Sequence, residues 1–215
     1  MRAGSKRLPG KHTRMLCGAS PARIVVDAAE SCKMVEGVYV ATNDLEIRDQ
    51  FKDDPRVTLF ERSEEGCTDL APSEVVIREF AEQVECENIV LIQATNPFIN
   101  SQYLYAGIEA YEASRCDSLM SVAPLQRYTY ERHEDGLLES LSFYTYERRG
   151  LANTTPIYVE NGSFYIFKRA DFLAHGRINY GRRFGFVMGA ETIHELDTET
   201  DWKVCEALLG NNQHA

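Results

Sequence analysis

The 215-residue chain carries 33 acidic and 23 basic residues, for a formal net charge of −10 and a pI near 5.0, and 44% of it is hydrophobic. That length suits one α/β domain over residues 1–215 with a sizeable core, and the acidic balance argues against a nucleic-acid backbone as partner, which needs a broad basic surface. No apolar run of about 18 residues suggests a bilayer span and no charged-then-apolar leader suggests export, so the expectation is a cytoplasmic protein without a membrane partner.

The chain begins with a basic, glycine-containing stretch, Arg2 to Lys11 (R-A-G-S-K-R-L-P-G-K). Ala3 and Gly4 let backbone approach a ligand closely, while Ser5, Lys6, Arg7 and Lys11 crowd donors and positive charge beside it, the arrangement that cradles a phosphate chain. Pro9-Gly10 predicts a tight turn that carries Lys11 back toward the loop. Read alone, the stretch suits a solvated basic tail equally well.

Apolar spacing then predicts a helix over 22–31, a strand over 37–41, a helix over 45–51 and a strand over 57–60. A helix follows over 73–84, with Ser73 as its cap and Glu74 in its first turn. Ile89–Ile92 is a continuous apolar run, as in a strand covered on both faces. A helix over 103–113 and a strand over 118–122 continue the alternation, which implies parallel strands and ligands at their carboxyl ends, where Arg62 and Gln93 sit. From Pro124 the pattern turns polar and aromatic, so about 124–183 is a candidate insertion, with β character at 141–146 and 158–167. The last helix starts near Thr198, where Thr198 and Asp201 form a possible capping box, and runs to Leu209.

Glu195 and Asp197 stand two apart on an apparent strand end, a spacing that puts both carboxylates on one face and suits a hard divalent cation; a solvated acidic edge fits the pair too. Gln93 offers an amide donor and acceptor at a strand end, either for a ligand hydroxyl or carboxylate or as a buried structural amide. Asn161-Gly162 reads either as a hairpin turn or as a pocket wall with room left by glycine. Six cysteines lack paired or His-linked metal spacing and read as reduced packing residues.

Five stretches, Arg2 to Lys11, Arg62 to Glu74, Leu91 to Pro97, Glu160 to Ile166 and Glu195 to Trp202, together resemble the CMP-N-acetylneuraminate synthetase family, nucleotidyltransferases that activate sialic acids and related nine-carbon sugars. The resemblance spans nearly the whole chain. It implies a Rossmann-like three-layer α/β/α nucleotidyltransferase fold with a mostly parallel sheet, and a small β-containing insertion through which a homodimer forms. It implies CTP and a nonulosonic acid as substrates and Mg²⁺, or Mn²⁺, as cofactor. By block position, Arg2 and Lys11 would be catalytic; Ala3, Gly4, Ser5, His12, Arg62 and Ser73 would bind nucleotide; Gln93, Asn161, Gly162 and Tyr165 would line the sugar pocket; Glu195 and Asp197 would hold the metal.

The chain departs from the family pattern in four places. Only Met1 precedes Arg2 where the family has a buried strand, so a chain lacking that strand is expected to fold less stably and turn over slowly. His12 replaces an Asn, which alters a nucleotide contact, and Glu195 replaces an Asp, which shifts the metal geometry; Ile178-Asn179 stands where some bacterial members place two aromatics, so the sugar is expected to differ from N-acetylneuraminate itself. An eight-carbon acid sugar, as in 3-deoxy-manno-octulosonate cytidylyltransferases, is the alternative substrate, and a non-catalytic nucleotide-binding homologue the alternative role.

Overall fold

The computed structural model describes residue 1 and residues 7–68, 71–125, 127, 129–141 and 157–212. Arg2, Ala3, Gly4, Ser5 and nearly all of the expected strand at 141–146 lie outside these. Helix α1 (Pro21–Glu30) starts where the Ser20 hydroxyl accepts the Arg23 amide and Pro21 enters with its backbone angle already set. Strand β1 (Val38–Ala41), helix α2 (Leu45–Phe51) and strand β2 (Val57–Phe60) follow as expected, and β1 and β2 pair in parallel with Val38 opposite Val57. Helix α3 (Ser73–Gln83) corrects one expectation: Pro72, held extended, is its N-cap residue, so Ser73 begins the helix rather than capping it.

Strand β3 (Asn88–Ile92), helix α4 (Ser101–Ser114) and strand β4 (Ser118–Pro124) lead to a short antiparallel hairpin, β5 (Tyr130–Arg132) and β6 (Leu138–Ser140). Then come strand β7 (Tyr158–Lys168), helix α5 (Arg169–His175), strand β8 (Arg183–Val187) and helix α6 (Glu199–Asn212). The capping box is present: Thr198 N–H donates to Asp201 Oδ2 at 2.8 Å and Asp201 N–H to Thr198 Oγ1 at 3.2 Å. The helix it opens runs a turn beyond the expected end.

Four strands form one sheet in the order β3-β7-β4-β8, and β1-β2 form a second ladder. β7 runs antiparallel to both neighbours while β4 and β8 are parallel, so three of the four strands share a direction and β7 is inserted against them. Alternate residues of β7 face opposite layers. Phe164 and Ile166 join Val25 of α1, Leu104 of α4 and Val40 of β1 in one cluster, whereas Tyr165 and Phe167 join Ile77 of α3 and Phe172 of α5 in another. The result is helix, sheet, helix. Among the described residues no helix is long and apolar enough to cross a membrane.

A third cluster positions the site. Leu8, Leu16, Phe98, Leu196, Trp202 and Cys205 pack together, so the N-terminal loop, the segment after β3 and the start of α6 share one core. Leu8 and Trp202 are each 1% exposed, and burying such side chains stabilises by about 1.5–3 kcal/mol each.

Candidate active site

The N-terminal loop turns as its Pro-Gly pair predicts. Gly10 has φ +67°, a conformation glycine adopts without strain, and its carbonyl accepts the amides of Thr13 at 3.0 Å and Arg14 at 2.8 Å. The turn drives Lys11 inward, where it is 9% exposed. Its Nζ donates to the Leu196 carbonyl at 2.9 Å and to Asp197 Oδ1 at 3.2 Å. Lys11 is therefore a strut between the loop and the acidic segment rather than a free cation. Arg7, on the exposed side, reaches the other oxygen, with Nη1 3.2 Å from Asp197 Oδ2. The His12 carbonyl accepts the Ala22 amide at 3.2 Å, tying the loop to α1.

Met1 locates the start of the loop: its amino group donates to the Ala41 carbonyl at 2.6 Å, at the end of β1, and lies in the field of Arg62. Arg62 donates to the Gly66 carbonyl, and the Gly66 amide donates to Ser63 Oγ at 3.0 Å, closing a tight turn. Ser63 in turn bonds the Glu79 carboxylate of α3, so the turn is fastened to the helix that Ser73 begins. Ser73 is exposed there.

The acidic pair is not on a strand. The Leu196 amide donates to the Thr95 carbonyl at 2.7 Å and the Asp197 amide reaches back to the Glu195 carbonyl at 3.0 Å, bending the chain tightly while Leu196 drops into the core. The bend gives the two carboxylates different surroundings. Asp197 faces Lys11 and Arg7. Glu195 Oε2 instead accepts the Thr95 hydroxyl at 3.0 Å, and burial raises this carboxyl above its ordinary pKa while the Thr95 bond opposes the rise.

Gly162 is what lets Glu195 sit there. It lies where the β4-β7 register slips, has φ +62°, and a Cβ on it would stand 2.5 Å from Glu195 Oε2. Beneath it, Asn161 is 0% exposed, and its amide is fully engaged by protein. Nδ2 donates to Thr192 Oγ1 at 2.8 Å, and Oδ1 accepts the Ser121 hydroxyl at 2.6 Å and the Ser163 amide at 3.3 Å. The expected pocket residue is thus a buried support for the glycine bulge. Tyr165 is 6% exposed and its hydroxyl donates to Glu160 Oε2 at 3.0 Å; burial first, then Glu160, push its pKa far up. Asn179 Nδ2 approaches the other Glu160 oxygen at 3.4 Å. Gln93 is half-buried, and its backbone amide donates to the Ser163 carbonyl at 3.0 Å. Its side chain makes no hydrogen bond among the described residues.

The structure therefore gathers Lys11, Asp197, Glu195 and Gly162 around one bend, with Tyr165 in the field of Glu195 and Gln93 on the segment that carries Thr95. It adds three residues that sequence reading left unassigned. Thr95 clamps the bend by side chain and backbone, Arg7 covers Asp197, and Glu160 fixes the Tyr165 hydroxyl. Arg7 carried a signal as one of several charges in the basic loop, and Thr95 and Glu160 lie within the stretches 91–97 and 160–166 that carry the family resemblance.

For a divalent cation, Glu195 and Asp197 supply two hard carboxylates, the share Mg²⁺ takes when substrate phosphates and water complete its shell. Among the described residues no three His, Cys, Asp or Glu side chains gather as a ready metal cage. The donor set fits a cation brought in with a phosphorylated substrate.

Comparison with known proteins gives this arrangement a family setting. A family model described as cytidylyltransferase matches residues 1–169. N-acylneuraminate cytidylyltransferase A of Danio rerio is 29% identical over 215 residues, covering 95% of this chain and 48% of that protein. CMP-N,N'-diacetyllegionaminic acid synthase of Legionella pneumophila is 27% identical over 230 aligned positions, covering 100% of this chain and 95% of that protein. This chain thus spans about half the length of the first relative and nearly all of the second. The solved structure of CMP:2-keto-3-deoxy-manno-octonic acid synthetase complexed with CTP superposes with a TM-score of 0.69 at 15% identity, covering 99% of this chain and 96% of that one, a likeness of fold.

Proposed function

The chain belongs to the cytidylyltransferase family, and from that premise we propose that it joins CMP from CTP to a nonulosonic acid, releasing pyrophosphate. The anomeric hydroxyl attacks the α-phosphorus, its oxygen-phosphorus bond forms as the bond to the β-phosphate bridge breaks, and the hydroxyl proton is lost to solvent or base. The observation that carries the reading is the bend at 195–197: Leu196 shares one core with the cationic loop, Lys11 is bonded to the bend, and Glu195 lies against the glycine bulge of β7, the strand that also carries the Glu160–Tyr165 pair.

In this reading the N-terminal loop neutralises the triphosphate, with Arg2 as its first cation and Lys11 holding the loop against the bend. Arg62 and Ser73 border the nucleotide, and CTP rather than UTP or ATP is the donor, as the names of the Danio and Legionella relatives suggest. Gln93 offers its unspent amide to a sugar hydroxyl or carboxylate, and Tyr165, whose hydroxyl proton is spent on Glu160, holds that carboxylate on the sugar side. Glu195 and Asp197 would hold Mg²⁺ or Mn²⁺, which when bound supplies charge neutralisation at phosphate oxygens and acidifies a hydroxyl beside it. Positioning and charge do the rest.

The β5-β6 hairpin packs on itself and exposes Leu137, Leu138 and Leu141, which supports its use as an arm against a second copy in a homodimer. The test of function is to incubate the protein with CTP, Mg²⁺ and separate nonulosonic and octulosonic acids and identify the products by mass. A CMP-nonulosonate is expected; product only from the eight-carbon acid, or none from any acid, overturns the proposal.

A further inference from the structure

Both oxygens of Asp197 are covered by cations, Oδ1 by Lys11 Nζ and Oδ2 by Arg7 Nη1, each at 3.2 Å. The two covers are held very differently. The Lys11 side chain is 11% exposed and also donates to the Leu196 carbonyl at 2.9 Å, so withdrawing it would leave a buried carbonyl unpaired. The Arg7 side chain is 73% exposed, and among the described residues its guanidinium makes no second hydrogen bond or ion pair, lying only in the field of Glu195 besides. Its neighbour Leu8 is locked in the core, so the Arg7 side chain can leave Asp197 while the backbone stays in place.

We propose that Arg7 is an exchangeable cover on Asp197: it occupies the carboxylate in the nucleotide-free protein and moves to the triphosphate when nucleotide enters, freeing Oδ2 for the divalent cation. The proposal rests on the reading that Asp197 holds that cation. A guanidinium fork matches phosphate oxygens as well as a carboxylate, and a triphosphate carries more negative charge than one Asp, so the exchange runs toward the nucleotide. No bond forms and no proton moves. The consequence is coupling. A cation arriving alone must compete with Arg7, whereas one arriving with nucleotide does not, and the same factor must appear as tighter nucleotide binding in the presence of cation. The site thus disfavours loading metal before substrate.

The test is to titrate Mn²⁺ into the full chain and read free Mn²⁺ by electron paramagnetic resonance, with and without α,β-methylene-CTP, referencing each titration to the analogue alone. Wild type, Arg7→Gln and Asp197→Asn are compared. Without analogue, Arg7→Gln should bind Mn²⁺ about two- to five-fold more tightly than wild type, the range a single exposed ion pair supports. The gain in affinity brought by the analogue should shrink by a matching factor. Asp197→Asn should weaken Mn²⁺ binding with the analogue by about tenfold or more. If Asp197→Asn binds like wild type, the cation reading itself falls. If Asp197→Asn is weakened but Arg7→Gln matches wild type with and without analogue, the cation reading stands and the exchange is refuted.

Discussion

Replacing Gly162 by Ala probes the contact on which the candidate site turns. Gly162 has φ +62°, and an L-residue in that left-handed region costs roughly 1–2 kcal/mol. The added Cβ would stand 2.5 Å from Glu195 Oε2, against about 3.3 Å for an ordinary carbon-oxygen contact, so the carboxylate has to retreat by roughly 0.8 Å. Thr95 Oγ1 holds the same oxygen at 3.0 Å, so retreat strains or breaks that bond. For a chain of this size the backbone cost alone, about 1–2 kcal/mol, lowers the melting temperature by roughly 2–8 °C, and the clash with Glu195 lowers it further in the wild-type background. The displaced carboxylate should cost turnover about a hundredfold, the usual penalty for a misplacement near 1 Å. The assay is melting by circular dichroism together with kcat for pyrophosphate release, run in wild-type and Glu195→Ala backgrounds. Without the Glu195 carboxylate the clash vanishes, so Gly162→Ala should there show only the backbone cost in stability. An equal stability loss in both backgrounds, or full activity of Gly162→Ala, would refute the reasoning.

Lys11→Met keeps the aliphatic stem but removes the donor to Leu196 and Asp197, and should cost about 1–3 kcal/mol in urea unfolding; an unchanged midpoint would mean that the strut is not formed. Asp54 governs a pH window remote from the site. Hydrogen bonds from Arg56, with Arg23 adding, hold its carboxyl well below the usual range. A depressed folded-state value gives stability that is present above the unfolded value near about pH 4 and lost as pH falls through the folded one. Wild type should therefore weaken below that point more steeply than Asp54→Asn in unfolding series from acid to neutral pH, and parallel curves would exclude the network. Glu30 in the same network is shifted the other way by burial, so its contribution is present at acid pH and lost as pH rises; Glu30→Gln should flatten that limb.

Most of the helices and strands were legible because they obey local rules: apolar periodicity placed β1, β2, β3 and α2, and Thr198 with Asp201 announced α6. What escaped was set by contacts distant in sequence. Glu195-Leu196-Asp197 alternates as a strand does, yet Leu196 pairs with Thr95 about a hundred positions away and the Asp197 amide turns back, so the alternation reflects a buried leucine in a bend. Asn161-Gly162 carries the signal of a hairpin turn, but β7 continues through it, because the positive φ of Gly162 is taken up by a register shift against β4 rather than by a reversal. The antiparallel course of β7 left no local mark, since an apolar run between two layers reads the same in either direction. Lys11 shows the same limit for chemistry. Its charge was visible in the loop, but only the fold reveals that Leu196 and Asp197 consume it.

The most direct test of the account is pyrophosphate release from CTP with a nonulosonic acid and Mg²⁺, compared between wild type and Asp197→Ala, with UTP in place of CTP as a parallel arm and circular dichroism to confirm that both proteins are folded. The account predicts CTP-dependent release with a CMP-sugar formed in equal amount, little release from UTP, and turnover abolished in a folded Asp197→Ala variant. Near-normal release by Asp197→Ala, or equal rates with UTP, would contradict it.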